Sequence, residues 1–410
     1  MAAKPDRLSR DGAERAHETP ARQPLIWVVS GYRAGENTQV SALADRLGLP
    51  WLRKDLDFNA LAGPVGLLRM SNQAGVEIDS SSILAPPWPD LVISAGLKNE
   101  PVCRWIKHAS GGRTKLVFLG RVWAPREEFD LIITTPQYRL PKLPNVLHNL
   151  CTQHPITPEK MAIERERWNA QFGPMPAPRI GVLVGGDSGP YALGRQAGLR
   201  LAAELMALHD KVGGSILVTS SARTRPVVMD VLEHSLPEAQ FVYRWRPRGR
   251  TNPFLGILAH ADLLVVTCDS IAMISEAAAT GKPVYMFRMR THGPEDATLS
   301  TRLYRALLRW GPQKLSRDQS LCHQGFIDAG YAGWLGHAQA ERRGSPESEI
   351  GRTLDRLRAL LGIPESPADA QVDSQPDPTA IPFPTRSPSP ADRPDPQSLP
   401  AQIDAIRPES

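Results

Sequence analysis

Short apolar runs recur along this chain, each closed by a turn and followed by a stretch long enough for a helix. Leu25–Ser30, Leu91–Ala95, Lys115–Leu119 and Leu131–Thr134 form one series. Ile180–Val184, Ser215–Thr219, Phe241–Tyr243, Leu263–Thr267 and Val284–Phe287 form a second. Continuous apolar runs of this length read as strands buried on both faces. Helices between them make the strands parallel, because parallel neighbours need a crossover connection. The intervening helices are expected over Thr38–Leu47, around Ala197, Leu201, Leu205 and Leu208, near Pro226–Glu233, and over Ser270–Thr280, stopped by Gly281. Ile350–Leu361 reads as a final amphipathic helix, with Ile350, Leu354, Leu357 and Leu361 on one face.

The two series are separated by Thr157–Phe172, polar and helical in character, and by the Pro-rich connector Gly173–Pro178. At 410 residues, two to three domains are expected, and 41% hydrophobic residues suffice for sizeable cores. The expected fold is α/β: two Rossmann-like domains facing a cleft, one over 25–172 and one over 179–335, with a closing helix over 346–362. Residues 1–24 are polar, and residues 364–410 contain 12 prolines, so both are expected to be disordered tails. A ligand is expected in the cleft, outside the carboxyl ends of the strands.

Composition excludes several classes. No apolar run approaches the length of a membrane helix, about 20 residues. The N-terminal stretch lacks the apolar segment of a secretory signal. Cys103, Cys151, Cys268 and Cys322 are dispersed singly, which excludes a zinc finger or disulfide scaffold and suits a reducing cytosol. The expected location is therefore cytoplasmic. The net charge is +5, but the segment 25–363 alone carries +9. A basic body suits an anionic partner, such as nucleotide phosphates, an acidic glycan or an anionic membrane met peripherally. The densest basic stretch, Arg244–Arg250, is single and broken by Pro247, so no nucleic-acid partner is expected.

Four turns carry candidate chemistry. Gly185, Gly186 and Ser188, between a strand and a helix, could bring backbone N–H groups to a phosphate; a plain βα turn is the alternative. The stretch is neither a dinucleotide fingerprint nor a P-loop. Asp269 and Ser270 cap the next candidate helix, which carries Ser275 and Glu276; a carboxylate there can accept from both hydroxyls of a ribose. Ser220 and Arg223, at another strand end, could hold diphosphate oxygens, unless they simply form a hydroxyl-rich turn. The loop after the first strand holds Arg33, Glu36, Asn37 and Gln39. Glu36 is the candidate general base and the others bind an acceptor, unless Glu36 merely favours a helix N-terminus. No Ser/His/Asp or Cys/His nucleophile set is legible, and neither a metal nor another cofactor is expected.

Asn252–Gly256, Ala259–Asp262, Val266–Ser270 and Ser275–Tyr285 together resemble the mitochondrial-fission elongated-mitochondria family, which includes the plant fission factor and many bacterial homologues described as glycosyltransferases. Phe129–Pro136, Gly185-Gly186 and Thr219–Thr224 support the likeness, which spans about residues 25–335. The family in turn is similar to the two-Rossmann-domain, GT-B-like glycosyltransferase superfold. The resemblance implies that Glu276 binds the ribose of a nucleotide-diphospho-sugar and that Gly185, Gly186 and Ser188 face its diphosphate. The preferred expectation is a metal-independent glycosyltransferase, with basic groups in place of a metal, and the basic body suits an acceptor that is a cell-envelope glycan or lipid. Members often carry His where this chain has Glu36. Two other functions remain open at this point: a non-catalytic adaptor recruiting a partner to a membrane, and a nucleotide-sugar epimerase.

Overall fold

The computed structural model describes residues 22–236, 241–247, 251–290, 298–312 and 315–363. The tails expected to be disordered, apart from residues 22–24, lie outside the described residues, as do Arg248 and Arg250 of the basic stretch.

The chain builds two parallel six-stranded sheets. The first contains β1 (Ile26–Ser30), β2 (Trp51–Asp55), β3 (Leu91–Ala95), β4 (Lys115–Leu119), β5 (Leu131–Thr134) and β6 (Val146–His148). Helices α1 (Ala34–Leu47), α2 (Ala62–Leu67) and α3 (Glu100–Ala109) lie along its crossovers. The second contains β7 (Arg179–Val184), β8 (Ser215–Ser220), β9 (Phe241–Tyr243), β10 (Leu263–Thr267), β11 (Val284–Phe287) and β12 (Gly333–Trp334). Between the sheets in sequence runs α4 (Pro158–Phe172). The second body adds α5 (Arg195–Val212), α6 (Pro226–Ser235), α7 (Phe254–His260), α8 (Ile271–Ala279), α9 (Leu299–Trp310) and α10 (Ser320–Asp328), and α11 (Pro346–Leu360) closes the described chain.

Strand order is β2-β1-β3-β4-β5-β6 in the first sheet and β12-β11-β10-β7-β8-β9 in the second. Counted within its own body, the second is the dinucleotide-binding order, reversing between β7 and β10; the first reverses between β1 and β3. These are the two Rossmann-like domains expected from the sequence. The central strands β1, β3 and β7 are buried throughout apart from Arg179, as continuous apolar runs require. β2 at the edge carries Arg53, Lys54 and Asp55 and is largely exposed. Charge on an edge strand discourages pairing with other chains, and it also hides the strand from an apolar-run reading.

Two segments depart from the expected division at residue 172. Helix α4 packs on the second body, with Phe172 fully buried in that core. Trp168 stacks on Phe172 at 5.3 Å, and Phe172 meets His260 edge-on at 5.4 Å. Gly256 makes room, since a Cβ there would lie 2.4 Å from the Trp168 ring. The apolar face of α4, hidden in a polar sequence, consists of Met161, Trp168 and Phe172. Helix α11 runs the other way: Leu357 is buried in the first body's core, against α1 and the sheet. The chain thus crosses between bodies twice. The crossings are tied together where Asn149 donates to the Thr353 hydroxyl at 2.9 Å and the Cys151 N–H to Glu349 at 2.9 Å.

The carboxyl ends of both sheets meet at this junction. Arg121, after β4, donates to the Ser316 carbonyl, and Arg139, after β5, pairs with Asp318. The Asp318 N–H donates to the Gln137 carbonyl at 2.9 Å, and Gln319 reaches the Asp269 carbonyl at 2.7 Å. Residues 316–319 are therefore a strap touching the turns of both domains. Among the described residues, no helix is long and apolar enough to cross a membrane.

Candidate functional site

The turn after β7 and the turn after β10 flank the switch point of the second sheet. Asp269 is their hub. Its side chain is fully buried, accepts from the Gly186 N–H at 3.0 Å and the Thr267 hydroxyl at 2.7 Å, and pairs with Arg223 at 3.0 Å. Burial pushes its pKa up, and Arg223 and the hydrogen bonds oppose the shift. The Gly185 N–H donates to the Thr267 hydroxyl at 2.8 Å. Both glycine N–H groups expected to cradle a phosphate are thus spent on side chains of the same domain. The glycines themselves are sterically required: a Cβ on Gly185 would lie 2.2 Å from the Asp269 carboxylate, and one on Gly186 would lie 2.0 Å from the Arg223 carbonyl.

The remaining expected groups divide between scaffold and cavity. Ser220 accepts the Trp245 N–H at 2.8 Å, and Ser270 caps α8. Ser275 is fully buried; it donates to the Ile271 carbonyl at 2.8 Å and accepts the Thr152 N–H at 3.0 Å, so it serves a crossing between the bodies. Ser188 accepts from Arg317 at 2.6 Å. Glu276 behaves differently. It is half-buried on α8, and among the described residues no hydrogen bond or ion pair satisfies its carboxylate. Burial alone pushes its pKa to about 8.

Several residues of this site have partners that no local motif reveals. Asp187 accepts from Arg225 at 3.0 Å and from the Leu193 N–H at 2.9 Å, which fixes the glycine turn. Arg317 and Gln319 come from the strap. His323 is buried, and its Nε2 lies 2.6 Å from the Cys268 carbonyl, so Nε2 carries the proton; burial lowers its pKa to about 4 and keeps it neutral. The neighbouring Cys268 thiol is pushed up to about 12, which removes it as a nucleophile at neutral pH. Each of these depends on a partner more than 35 residues distant or on burial, neither visible in a local motif. Among the described residues no group of three His, Cys, Asp or Glu side chains could hold a metal ion.

In the first domain, the loop after β1 meets the loop after β3. Asn37 both accepts the Gly31 N–H at 3.0 Å and donates to the Gly31 carbonyl at 2.7 Å, so its amide builds the loop. Glu36 accepts from Arg33 at 3.0 Å and lies over Gly96. Gly96 has φ +92°, and a Cβ there would sit 2.4 Å from a Glu36 oxygen, so this glycine seats the carboxylate. Gln39 is half-buried on α1 with no side-chain hydrogen bond among the described residues. Lys98 lies over the Tyr32 ring at 4.7 Å and completes a cationic rim with Arg33.

Between the domains, Arg121 is half-buried beside Tyr138, Tyr304, Arg317 and Arg139; burial lowers its pKa, and the two cations add to the effect. The junction therefore gathers Arg121, Arg139 and Arg317, of which Arg139 is paired with Asp318.

Comparison with known proteins bears on this arrangement. A mitochondrial fission protein of Arabidopsis thaliana is 27% identical over 223 residues, 48% of this chain and 51% of its own. The chain thus spans about half the length of that relative. An uncharacterized protein of Rickettsia prowazekii is 23% identical over 299 residues, 64% of this chain and 82% of its own. Among solved structures, a Staphylococcus aureus MnaA–UDP complex is 12% identical, with a TM-score of 0.43 over 84% of this chain and 99% of its own. A glycosyltransferase from Rickettsia africae is 10% identical, with a TM-score of 0.39 over 83% and 99%. Acinetobacter baumannii MurG is 14% identical, with a TM-score of 0.36 over 86% and 96%. Structural likeness this loose carries nothing about ligand or reaction. The sequence match is firmer: the model of the mitochondrial fission ELM1 family matches residues 34–308, and the chain belongs to that family.

Proposed function

We propose that the protein is an enzyme acting on nucleotide sugars, and more narrowly a metal-independent glycosyltransferase that moves a sugar from a nucleotide-diphospho-sugar to a glycan or lipid acceptor. The observation that carries this reading is Glu276. A half-buried carboxylate with no partner costs free energy unless a ligand completes it. Paired hydroxyls of a ribose do so, each donating to one oxygen. The switch point of a dinucleotide-ordered sheet is where such a ligand binds.

The diphosphate would be met by guanidinium groups, Arg223 and Arg317, rather than by the glycine N–H groups, which Thr267 and Asp269 occupy. These cations would balance charge developing on the departing diphosphate, the role a metal plays elsewhere. Glu36, opposite on the first domain, is the group assigned to take the acceptor proton. Arg33 and Gln39 would orient the acceptor, while Asn37 holds their loop.

The test is calorimetric titration with UDP, GDP, CMP and their sugars at pH 7 in two buffers of different ionisation enthalpy. Free Glu276 is mostly protonated at that pH. Hydroxyl donors favour its ionised form, so binding releases up to one proton. Glu276→Gln should abolish the release and weaken binding about tenfold to a hundredfold. Nucleotide binding that Glu276→Gln leaves intact would reject the site. Sugar converted from the donor alone, without acceptor, would mark an epimerase instead.

A further inference from the structure

We propose that α9 is a docking helix for an anionic lipid surface. Leu299, Leu303 and Trp310 are 74%, 63% and 76% exposed. Together with Ala306 they stand at i, i+4, i+7 and i+11, one unbroken stripe of a helix. Leu315, just beyond, is also exposed. Arg302 and Arg309 are exposed along the stripe's flank, and Leu299–Trp310 contains no carboxylate.

The inward face of α9 does not explain the helix. Thr301 is its only buried residue, and none of its side chains joins the three apolar cores of the described residues. A 12-residue helix is marginal in water and ordinarily owes its stability to burying an apolar face. Here the apolar face is uncovered among the described residues.

Leucine and tryptophan on one side with arginine beside them is the chemistry of a helix lying in a lipid interface. The sign fits as well, since the segment 25–363 carries +9 and anionic headgroups attract such a surface. The helix is coupled to the candidate site. The Tyr304 hydroxyl accepts the Arg317 N–H at 2.8 Å, Arg305 donates to the Pro190 carbonyl at 2.8 Å, and the Tyr304 ring covers Gly189. A lipid surface held by α9 would therefore lie beside the turn after β7. The proposal does not depend on the nucleotide-sugar reading.

The full chain should co-sediment with phosphatidylcholine vesicles containing phosphatidylglycerol, and much less with phosphatidylcholine alone, with binding lost as salt rises. Leu303→Glu and Trp310→Glu should each lower the partition coefficient about tenfold or more. Arg302→Gln with Arg309→Gln should lower it by about tenfold at low salt. All four native cysteines are buried, so Leu303→Cys accepts a polarity-sensitive label selectively, and its emission should shift to the blue on anionic vesicles. Absence of anionic-vesicle binding, binding that these variants leave unchanged, or a label at position 303 that does not shift would overturn the proposal. So would crosslinking from position 303 to residues 364–410, which would give the stripe to the chain's own acidic tail. Vesicle binding without nucleotide binding, or the reverse, tells the two proposals apart.

Discussion

The turns after β1 and β7 begin corresponding crossovers in the two domains, yet they are held in different ways. After β7, backbone N–H groups are tied to Thr267 and to Asp269, whose fully buried carboxylate is also paired with Arg223. After β1, the tie is the neutral amide of Asn37, and the nearby carboxylate, Glu36, pairs with an exposed Arg33. One turn is locked by buried charge. The other is shaped by a local amide and leaves its charge at the surface. A buried charge is costly to orphan, whereas an exposed pair contributes little to stability, so the same substitution should have different consequences in the two domains.

The largest contrast is removal of each carboxylate. Asp269→Ala should destabilise by about 2–4 kcal/mol in denaturant unfolding, because it leaves the buried Gly186 N–H and Thr267 hydroxyl without their acceptor, while Arg223 stays hydrated. If Asp269→Ala unfolds at the same denaturant concentration as the parent, the buried lock is wrong.

Acid gives a second contrast. His323 has a folded pKa of about 4 against an ordinary 6.5, and so does His154 on the connector between the bodies. A base whose folded pKa is depressed contributes stability that is present above pH 6.5 and is lost as pH falls toward 4. Each group accounts for up to about 3 kcal/mol over that window. His154 lies beside Arg46 of the first domain, so its share falls on the junction, whereas His323 is tied to Cys268 after β10; hydrogen exchange at pH 5 should therefore show β10 and its neighbour β7 losing protection before β1 and β3. Equal loss in both sheets would argue against it.

Glycine substitutions refine the picture on a smaller scale. Gly186→Ala drives a Cβ into the Arg223 carbonyl and should lower stability by about 1–3 kcal/mol while disturbing the Asp269 pair. Gly96→Ala, at φ +92°, should cost about 1–3 kcal/mol and displace Glu36. In the first domain activity should suffer beyond what the stability loss explains; the two are separated by assaying well below the melting temperature. Smallest of all, Glu36→Gln should change stability by less than about 0.5 kcal/mol, since its ion pair with Arg33 is solvated.

Much of this architecture was legible because a doubly covered parallel sheet writes its central strands as bare apolar runs. β1, β3, β4, β5, β7, β8, β9, β10 and β11 all announce themselves in that way. β2 does not, because it carries Arg53, Lys54 and Asp55 at a sheet edge, and β6 and β12 do not, because they are three and two residues long and lack the aromatic pair that marks β9. The helix over Thr157–Phe172 was visible, but its allegiance was not: Met161, Trp168 and Phe172 decide it, and Gly256, which makes room for Trp168, lies far along the chain. At the site, a strand followed by Gly185-Gly186 marks the turn. It does not reveal that Thr267 and Asp269, the latter a helix cap in sequence terms, consume the turn's donors. Arg317 and Gln319 were invisible because the strap has no regular structure to give it a period.

The return of α11 to the first domain bears on the order in which the protein is made. The core containing Val28, Leu43 and Ile93 is completed by Leu357, a residue synthesised after the entire second sheet. At ribosomal speeds of about 5–20 residues per second, the first domain waits on the order of ten seconds or more for its last helix. During that interval the face that α11 will cover is open to other chains and to chaperones. The second domain, begun later, has its own hydrophobic cluster closed by residues up to Ala332, and so has all its core residues first.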